Sequence, residues 1–324
     1  MNYVLLLLGF VLLIKGADIF VDGASIIAKK LGIPSVIVGL TIVSLGTSAP
    51  ELAVSLISGI NGNNEIAIGN VIGSNIFNIL IVLGATAVIS PLIIKKSNIK
   101  SDFIINTLVT IFLFIVTFDS LLSIKNNYIS RLDGLILVFI CLSYIIFLII
   151  KTKNNHGSEE VSAEISEEII NANIFIKIIT MIIGVSGIII GGNLVVSSAT
   201  NIAYLLGMSE KLVGLTIVAI GTSLPELVTS IVAAIKGEND IAIGNVLGSN
   251  IFNIVLILGL SSLINPIPVN ASLFIDFIVL ILINLFIGIL IFINKNRDKK
   301  LSRIEGIILV CLYVAYMLFI IKRN

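Results

Sequence analysis

Residues 39–84 read GLTIVSLGTSAPELAVSLISGINGNNEIAIGNVIGSNIFNILIVLG, and residues 214–259 read GLTIVAIGTSLPELVTSIVAAIKGENDIAIGNVLGSNIFNIVLILG. The two stretches align without a gap at an offset of 175 residues and agree at 30 of 46 positions. Agreement concentrates on polar residues inside apolar runs: Gly-Thr-Ser-x-Pro-Glu, then Gly-Asn-Val-x-Gly-Ser-Asn-Ile-Phe-Asn. A duplicated polar motif carrying an acid, set in hydrophobic sequence, points to a transporter with its site where two repeats meet.

The rest of the chain supports that setting. Of 324 residues, 57% are apolar and 12% charged, and mean hydropathy is +1.15. Runs of about 20 apolar residues recur along the whole length, enough for a helix to cross a bilayer. They are continuous rather than alternating, which excludes a β-barrel. Net charge of +1 gives nucleic acid no attraction. Cys141 and Cys311 stand alone in apolar runs and read as small core residues, with neither disulfide nor metal site implied. The first run lacks a basic start and a small-residue cleavage site, so it reads as a span rather than a signal peptide.

Ten spans are expected near 3–28, 35–60, 66–90, 102–124, 131–150, 174–205, 211–235, 241–263, 271–294 and 304–321. Five spans separate each motif from its copy, and an odd number makes the second copy enter the membrane from the opposite side. The expected fold is therefore an all-α polytopic membrane protein of ten transmembrane helices in two inverted five-helix repeats. The first repeat is 1–150 with its motif at 39–84; the second is 174–324 with its motif at 214–259. Arg131-Leu132-Asp133-Gly134 and Arg303-Ile304-Glu305-Gly306, opening spans five and ten, support this division. Between the repeats, 151–173 reads as a solvated acidic linker, and its lone His156 has no partner cluster. Alternate connections carry 14 lysines and arginines against 5 on the other side. The positive-inside rule then makes the linker cytoplasmic and places both termini outside a cell membrane.

Pro50 follows Gly46-Thr47-Ser48-Ala49 in mid-span. Lacking an N–H and clashing with the carbonyl four residues back, it must kink or unwind the helix and free carbonyl oxygens. Pro225 does the same in span seven. Glu51 and Glu226 follow those prolines directly. A mid-span acid costs at least roughly 2.5–3.5 kcal/mol to insert, so each has a functional rather than a structural reason to be there. Where the helix persists, Thr47, Ser48 and Glu51 share a face. Spans three and eight each add a polar stripe, Ser74 with Asn78 and Ser249 with Asn253. Gly69, Gly73, Gly244 and Gly248 permit close helix approach. Hard oxygen donors with two formal charges suit Ca²⁺ or Na⁺; no His or Cys lies in these blocks to suggest zinc or copper. Ser55, Ser58 and Asn284 read as helix-to-helix glue. Asp18 reads as half of a local Lys15–Asp18 pair or as the mouth of a pathway.

At these residues the chain resembles the sodium/calcium exchanger family of the cation/Ca²⁺ antiporter superfamily, over essentially its whole length. The resemblance implies a non-enzymatic antiporter that exchanges Ca²⁺ for Na⁺ by alternating access, with no cofactor and no protein partner. The alternative is an H⁺-coupled exchanger of Ca²⁺ or another divalent cation, since paired carboxylates can carry protons. By resemblance the ligands in the first half are Thr47, Ser48, Glu51, Ser74, Asn78 and the carbonyl of Ser44. In the second they are Thr222, Ser223, Glu226, Ser249, Asn253 and the carbonyl of Ala219. Spans one and six would slide as a pair, for which Gly9, Gly16, Gly184, Gly187, Gly191 and Gly192 leave room. Asn253 replaces the Asp of potassium-dependent relatives, which argues against K⁺ dependence. The short linker leaves no room for the Ca²⁺-binding regulatory domains of animal exchangers.

Overall fold

The computed structural model describes residues 2–60, 64–118, 127–155, 172–207, 219–293 and 298–323. The first half contains α1 (Asn2–Leu31), α2 (Ser35–Thr47), α3 (Ala49–Ile60) and α4 (Asn64–Phe77, continuing to Ile89). After it come β1 (Leu92–Lys95), α5 (Lys96–Thr117), β2 (Tyr128–Ile129) and α6 (Arg131–Asn155). The second half contains α7 (Ile174–Leu205), α8 (Ala219–Gly221), α9 (Leu224–Ile235) and α10 (Asn239–Ile264). It closes with β3 (Ile267–Pro268), α11 (Leu273–Phe292), β4 (Asp298–Leu301) and α12 (Arg303–Arg323).

Eight helices among the described residues are long and apolar enough to cross a membrane, and the bent pair α2–α3 makes a ninth. The tenth expected span is represented by α8 and the 12-residue α9; its first residues, 211–218, lie outside the described residues. The protein is thus a nearly all-helical polytopic membrane protein, with eight or nine spans among the described residues, in keeping with the ten expected. Span four begins at Lys96 and is helical to Thr117, earlier than its hydropathy suggested; 119–126 lie outside the described residues. Helix α6 runs on to Asn155, because nothing in Lys151–Asn155 breaks a helix. Most of the linker, with His156, lies outside the described residues.

Burial ranks the helices. In the most apolar window of α4 and of α10, 72% and 94% of residues are buried, against 17–39% in the other long helices. Those two therefore form the centre, and the others surround them with apolar faces turned outward. Cys141 is buried, but Cys311 is exposed on the outward face of α12, so the core reading holds for only one of them.

Contacts between helix ends sort the connections into two layers. Strand β1 pairs antiparallel with β4, Leu92 opposite Leu301, and β2 with β3, Ile129 opposite Ile267. Each two-stranded ladder takes one strand from each half. These short strands were not expected from the sequence. In the first layer Ser90 Oγ donates to the Ala234 carbonyl at 3.1 Å, beside the β1–β4 ladder. In the other, Arg131 donates to the Ile264 carbonyl at 3.4 Å, beside the β2–β3 ladder. Such grouping is what a chain crossing a membrane at every span requires.

Small residues set the crossings between halves. A Cβ added to Gly306 would meet the Gly84 carbonyl at 2.6 Å, and one on Gly134 the Gly259 carbonyl at 2.8 Å. The Gly9, Gly16, Gly184 and Gly191 row seals α1 against α7: a Cβ on Gly16 would lie 2.7 Å from the Gly184 carbonyl. Gly244 and Gly248 press on α2: an added Cβ would lie 2.6 Å from the Val36 carbonyl and 2.5 Å from that of Leu40, respectively. Gly69 and Gly73 meet nothing within 4 Å among the described residues. Capping boxes start α6 and α12 alike: the Asp133 carboxylate accepts from Ser130 N–H at 2.8 Å, and that of Glu305 from Ser302 N–H at 2.7 Å.

Candidate functional site

The break in the second span falls at Ser48 (φ −82°, ψ 8°), between α2 and α3, whose axes bend by 49°. Its counterpart is Ser223 (φ −94°, ψ 7°), with Pro225 in the first turn of α9. The proline mechanism accounts for both: the chain leaves helical geometry just before a residue that cannot donate. Thr47, Ser48 and Glu51 therefore do not share one continuous helix face. Glu51 and Glu226 instead occupy the first turns of new helices, where the helix dipole and free N–H groups favour a carboxylate.

Both glutamates are fully buried. Their hydroxyl partners come from opposite halves: Ser48 Oγ donates to Glu226 Oε1 at 2.8 Å, and Ser223 Oγ to Glu51 Oε1 at 3.0 Å. Ser249 Oγ lies 3.5 Å from Glu226 Oε1, and Ser223 Oγ 3.0 Å from Ser74 Oγ. The remaining oxygens, Glu51 Oε2 and Glu226 Oε2, are buried with no hydrogen-bond partner, as are Asn78 Oδ1 and Asn253 Oδ1. Among the described residues no lysine, arginine or histidine bonds to either glutamate. Buried polar atoms are rarely left bare, and two buried carboxylates without a basic partner, with two more bare amide oxygens on the neighbouring central helices, are the donor set that a cation would satisfy.

Ser48, Glu226 and Ser249 thus form one hydrogen-bonded group and Ser223, Glu51 and Ser74 another; Thr47, Asn78 and Asn253 are buried, Thr222 partly so, with Asn78 and Asn253 bonded to Asn250 and Asn75 rather than to the glutamates. Ser44 is buried, but its carbonyl is not freed: it accepts from Ser48 N–H at 2.9 Å and from Thr47 Oγ1 at 3.3 Å. Ala219 opens α8, and its side chain lies outside what is described. Asp18 is not paired locally with Lys15; Lys236 of the other half takes Asp18 at 2.7 Å and Asp22 at 2.6 Å. Asn284 and Ser55 act as glue, as expected: Asn106 Nδ2 donates to Asn284 Oδ1 at 2.7 Å and Asn70 Nδ2 to Ser55 Oγ at 3.2 Å.

Four asparagines escaped the sequence reading. Asn245 Nδ2 donates to the Glu226 carbonyl at 3.3 Å and to Ser230 Oγ at 2.9 Å, while its Oδ1 accepts from Thr47 Oγ1 at 3.0 Å. Asn70 repeats this on Glu51, Ser55 and Thr222 at 3.5, 3.2 and 3.4 Å. Asn75 and Asn250 link α4 to α10. All four are identical in both copies of the motif, and that identity was the available signal. Helices α4 and α10 both widen into a π turn, at Asn78–Val82 and Asn253–Leu258, a distortion common at functional sites.

Fold and site together define a multi-pass membrane protein with a cation-seeking oxygen cage at the junction of two equivalent helix sets. The chain belongs to the family described as "Sodium/calcium exchanger protein", whose model matches residues 1–153 and 176–322. It is 36% identical to the sodium/calcium exchanger MaX1 of Methanosarcina acetivorans over 98% of this chain and 97% of that protein. It is 34% identical to the inner membrane protein YrbG of Escherichia coli, over 87% and 85%. A solved structure of the sodium/calcium exchanger from Methanococcus jannaschii superposes with a TM-score of 0.81 at 31% identity, covering 98% of this chain and 97% of that one.

Proposed function

We propose that this protein is a secondary antiporter that exchanges Ca²⁺ for Na⁺ by alternating access. The observation that carries the reading is the set of four bare, buried oxygens on Glu51, Glu226, Asn78 and Asn253. One Ca²⁺ neutralises the two glutamates, and Na⁺ ions occupying overlapping oxygens do the same. A cage left with two bare carboxylates in mid-membrane is costly, so it crosses loaded, and that obligation couples the two fluxes. The ligands are Thr47, Ser48, Glu51, Ser74 and Asn78 with Thr222, Ser223, Glu226, Ser249 and Asn253. The carbonyls of Ser44 and Ala219 join them, a carbonyl oxygen having a second lone pair for the ion while it accepts a backbone N–H.

The division into repeats at 1–150 and 174–324, joined by the cytoplasmic linker 151–173, belongs to the same proposal. So do a plasma-membrane location with both termini outside, the sliding of α1 and α7 along their glycine seam, and operation without a cofactor. Reconstitution tests the reading. Na⁺-loaded liposomes diluted into Na⁺-free medium should take up radioactive Ca²⁺, and the Glu51→Gln and Glu226→Gln proteins should take up none. Uptake driven equally well by a proton gradient alone would replace Na⁺ by H⁺ as the coupling ion; no flux under either gradient would overturn the exchanger.

A further inference from the structure

At the centre of the molecule, between α4 and α10, four buried asparagines form a ring whose hydrogen-bond polarity can be read without ambiguity. Asn75 Nδ2 donates to the Asn250 backbone carbonyl at 3.1 Å, and Asn250 Nδ2 to the Asn75 carbonyl at 3.3 Å. A backbone carbonyl can only accept, so these two side chains have one possible orientation each. Their Oδ1 atoms are thereby turned outward as acceptors. Asn78 meets Asn250 Oδ1 at 3.1 Å, and Asn253 meets Asn75 Oδ1 at 3.0 Å, each through its Nδ2. An amide that spends its N–H₂ group on one side must show its oxygen on the other. Those are the Asn78 and Asn253 oxygens that stand buried and bare. All four residues are at most 1% exposed, so no water competes for the donors.

We infer that Asn75 and Asn250 are positioning residues that fix the amide orientation of Asn78 and Asn253, so that the cage presents oxygen and never N–H to the transported cation. This rests on the exchanger reading. Neither asparagine touches the ion; each acts through the side chain of the opposite half. Loss of the acceptor at 250 leaves Asn78 free to rotate and aim a donor at a cation, which repels it. The ring also ties the two halves: the orientation of each half's amide is set by the other half's backbone. And it disfavours an ionised Asp at 78 or 253, because a carboxylate there would face the Oδ1 of Asn250 or Asn75, acceptor against acceptor.

The test is a double-substitution cycle in reconstituted full-length protein, read as the Ca²⁺ concentration for half-maximal Na⁺-driven uptake, with maximal rate and ion-free thermal stability alongside. Asn250→Leu should raise the half-maximal Ca²⁺ concentration about tenfold or more, the scale of one misdirected buried polar group. Adding Asn78→Asp to Asn250→Leu should bring it back to within about threefold of wild type, because a carboxylate shows oxygen in either orientation. Asn78→Asp alone should be worse than the pair. An unchanged half-maximal concentration in Asn250→Leu, or a double variant as weak as the single, overturns the positioning role and leaves the exchanger standing. An inert wild type overturns both. The mirror set, Asn75→Leu with and without Asn253→Asp, puts the same question to the other half should Asn250→Leu not fold.

Discussion

Ser48 and Ser223 hold the two glutamates crosswise, each hydroxyl reaching the carboxylate of the opposite half. A hydrogen bond to a charged acceptor contributes about 1.5–3 kcal/mol. Ser48→Ala should therefore weaken Ca²⁺ binding about tenfold or more, measured by isothermal titration in detergent, with Ser223→Ala matching it. A large loss for one serine and none for the other would show that the two halves are not equivalent at the ion. Thr47 Oγ1 lies 3.0 Å from Asn245 Oδ1 and 3.3 Å from the Ser44 carbonyl, and Thr222 Oγ1 3.4 Å from Asn70 Oδ1; as with the serines, donating the proton leaves the oxygen lone pairs available. This much of the site was legible: the carboxylates, hydroxyls and amides could be named because acids and amides in mid-span have few structural reasons to exist. Which serine serves which glutamate was not legible, since hydroxyls of both halves are equally spaced from their own acids.

For the helices, the two informative features are the break before each proline and the glycine seam between α1 and α7. Gly16 and Gly184 oppose each other so closely that any Cβ lands on backbone: one on Gly184 would sit 2.8 Å from the Gly16 carbonyl. Backbone cannot step aside as a flexible side chain can. Gly184→Val should force α7 off α1, cutting transport sharply and costing on the order of 1–3 kcal/mol through overpacking, read as a drop in melting temperature. A Gly192→Ala substitution, where an added Cβ would have 3.7 Å to Pro225, should be silent in the same assay. Hydropathy located the helices because lipid imposes a length on them. It misplaced the start of α5 and the end of α6 because polar residues at the interface continue a helix as readily as they end it. The two ladders escaped notice because β1 and β4 are four residues each and β2 and β3 only two, too short to show alternation.

Across the whole molecule the near-symmetry has one conspicuous exception. Lys236, in the turn that Gly237 (φ 81°) closes after α9, binds Asp18 and Asp22 of α1. Next to it Ser25 donates to Glu238 at 2.5 Å and Lys29 pairs with Glu238 at 2.6 Å. Burial opposes the charge on Lys236, yet its hydrogen bonds to Asp18 and Asp22 outweigh this and raise its pKa above the ordinary 10.5. The raised value means that the pairs' contribution is full below the unfolded lysine's value and is lost only as pH climbs through the higher folded one, so they persist across the neutral range. Shifted by 175 residues, the positions of Asp18, Asp22 and Ser25 hold Asn193, Ser197 and Thr200: the charges exist at one end only. Partly exposed pairs contribute about 0.2–1 kcal/mol each. Lys236→Met should accordingly speed hydrogen–deuterium exchange in the last turns of α1 and leave the last turns of α7 unchanged; equal acceleration at both ends would show that the pairs do not pin α1. Ca²⁺ should also raise the melting temperature of the wild type, because a ligand of the folded state stabilises it by mass action, and should do nothing for Glu51→Gln.

The sequence by itself determined the membrane class, the polytopic helical fold and the duplication, and it named the residues of the candidate cage. Each of these follows from local physics: the length of an apolar run, the backbone consequence of a proline, the cost of an acid in lipid. Only the tertiary structure decided the pairings across the halves, namely Ser48 with Glu226, Asn75 with Asn250, Lys236 with Asp18 and β1 with β4. It also decided that Ser44's carbonyl is engaged rather than free. Such pairings depend on how two helix sets of nearly identical sequence pack against each other. Partners 100 or more residues apart leave no periodicity along the chain from which they could be read.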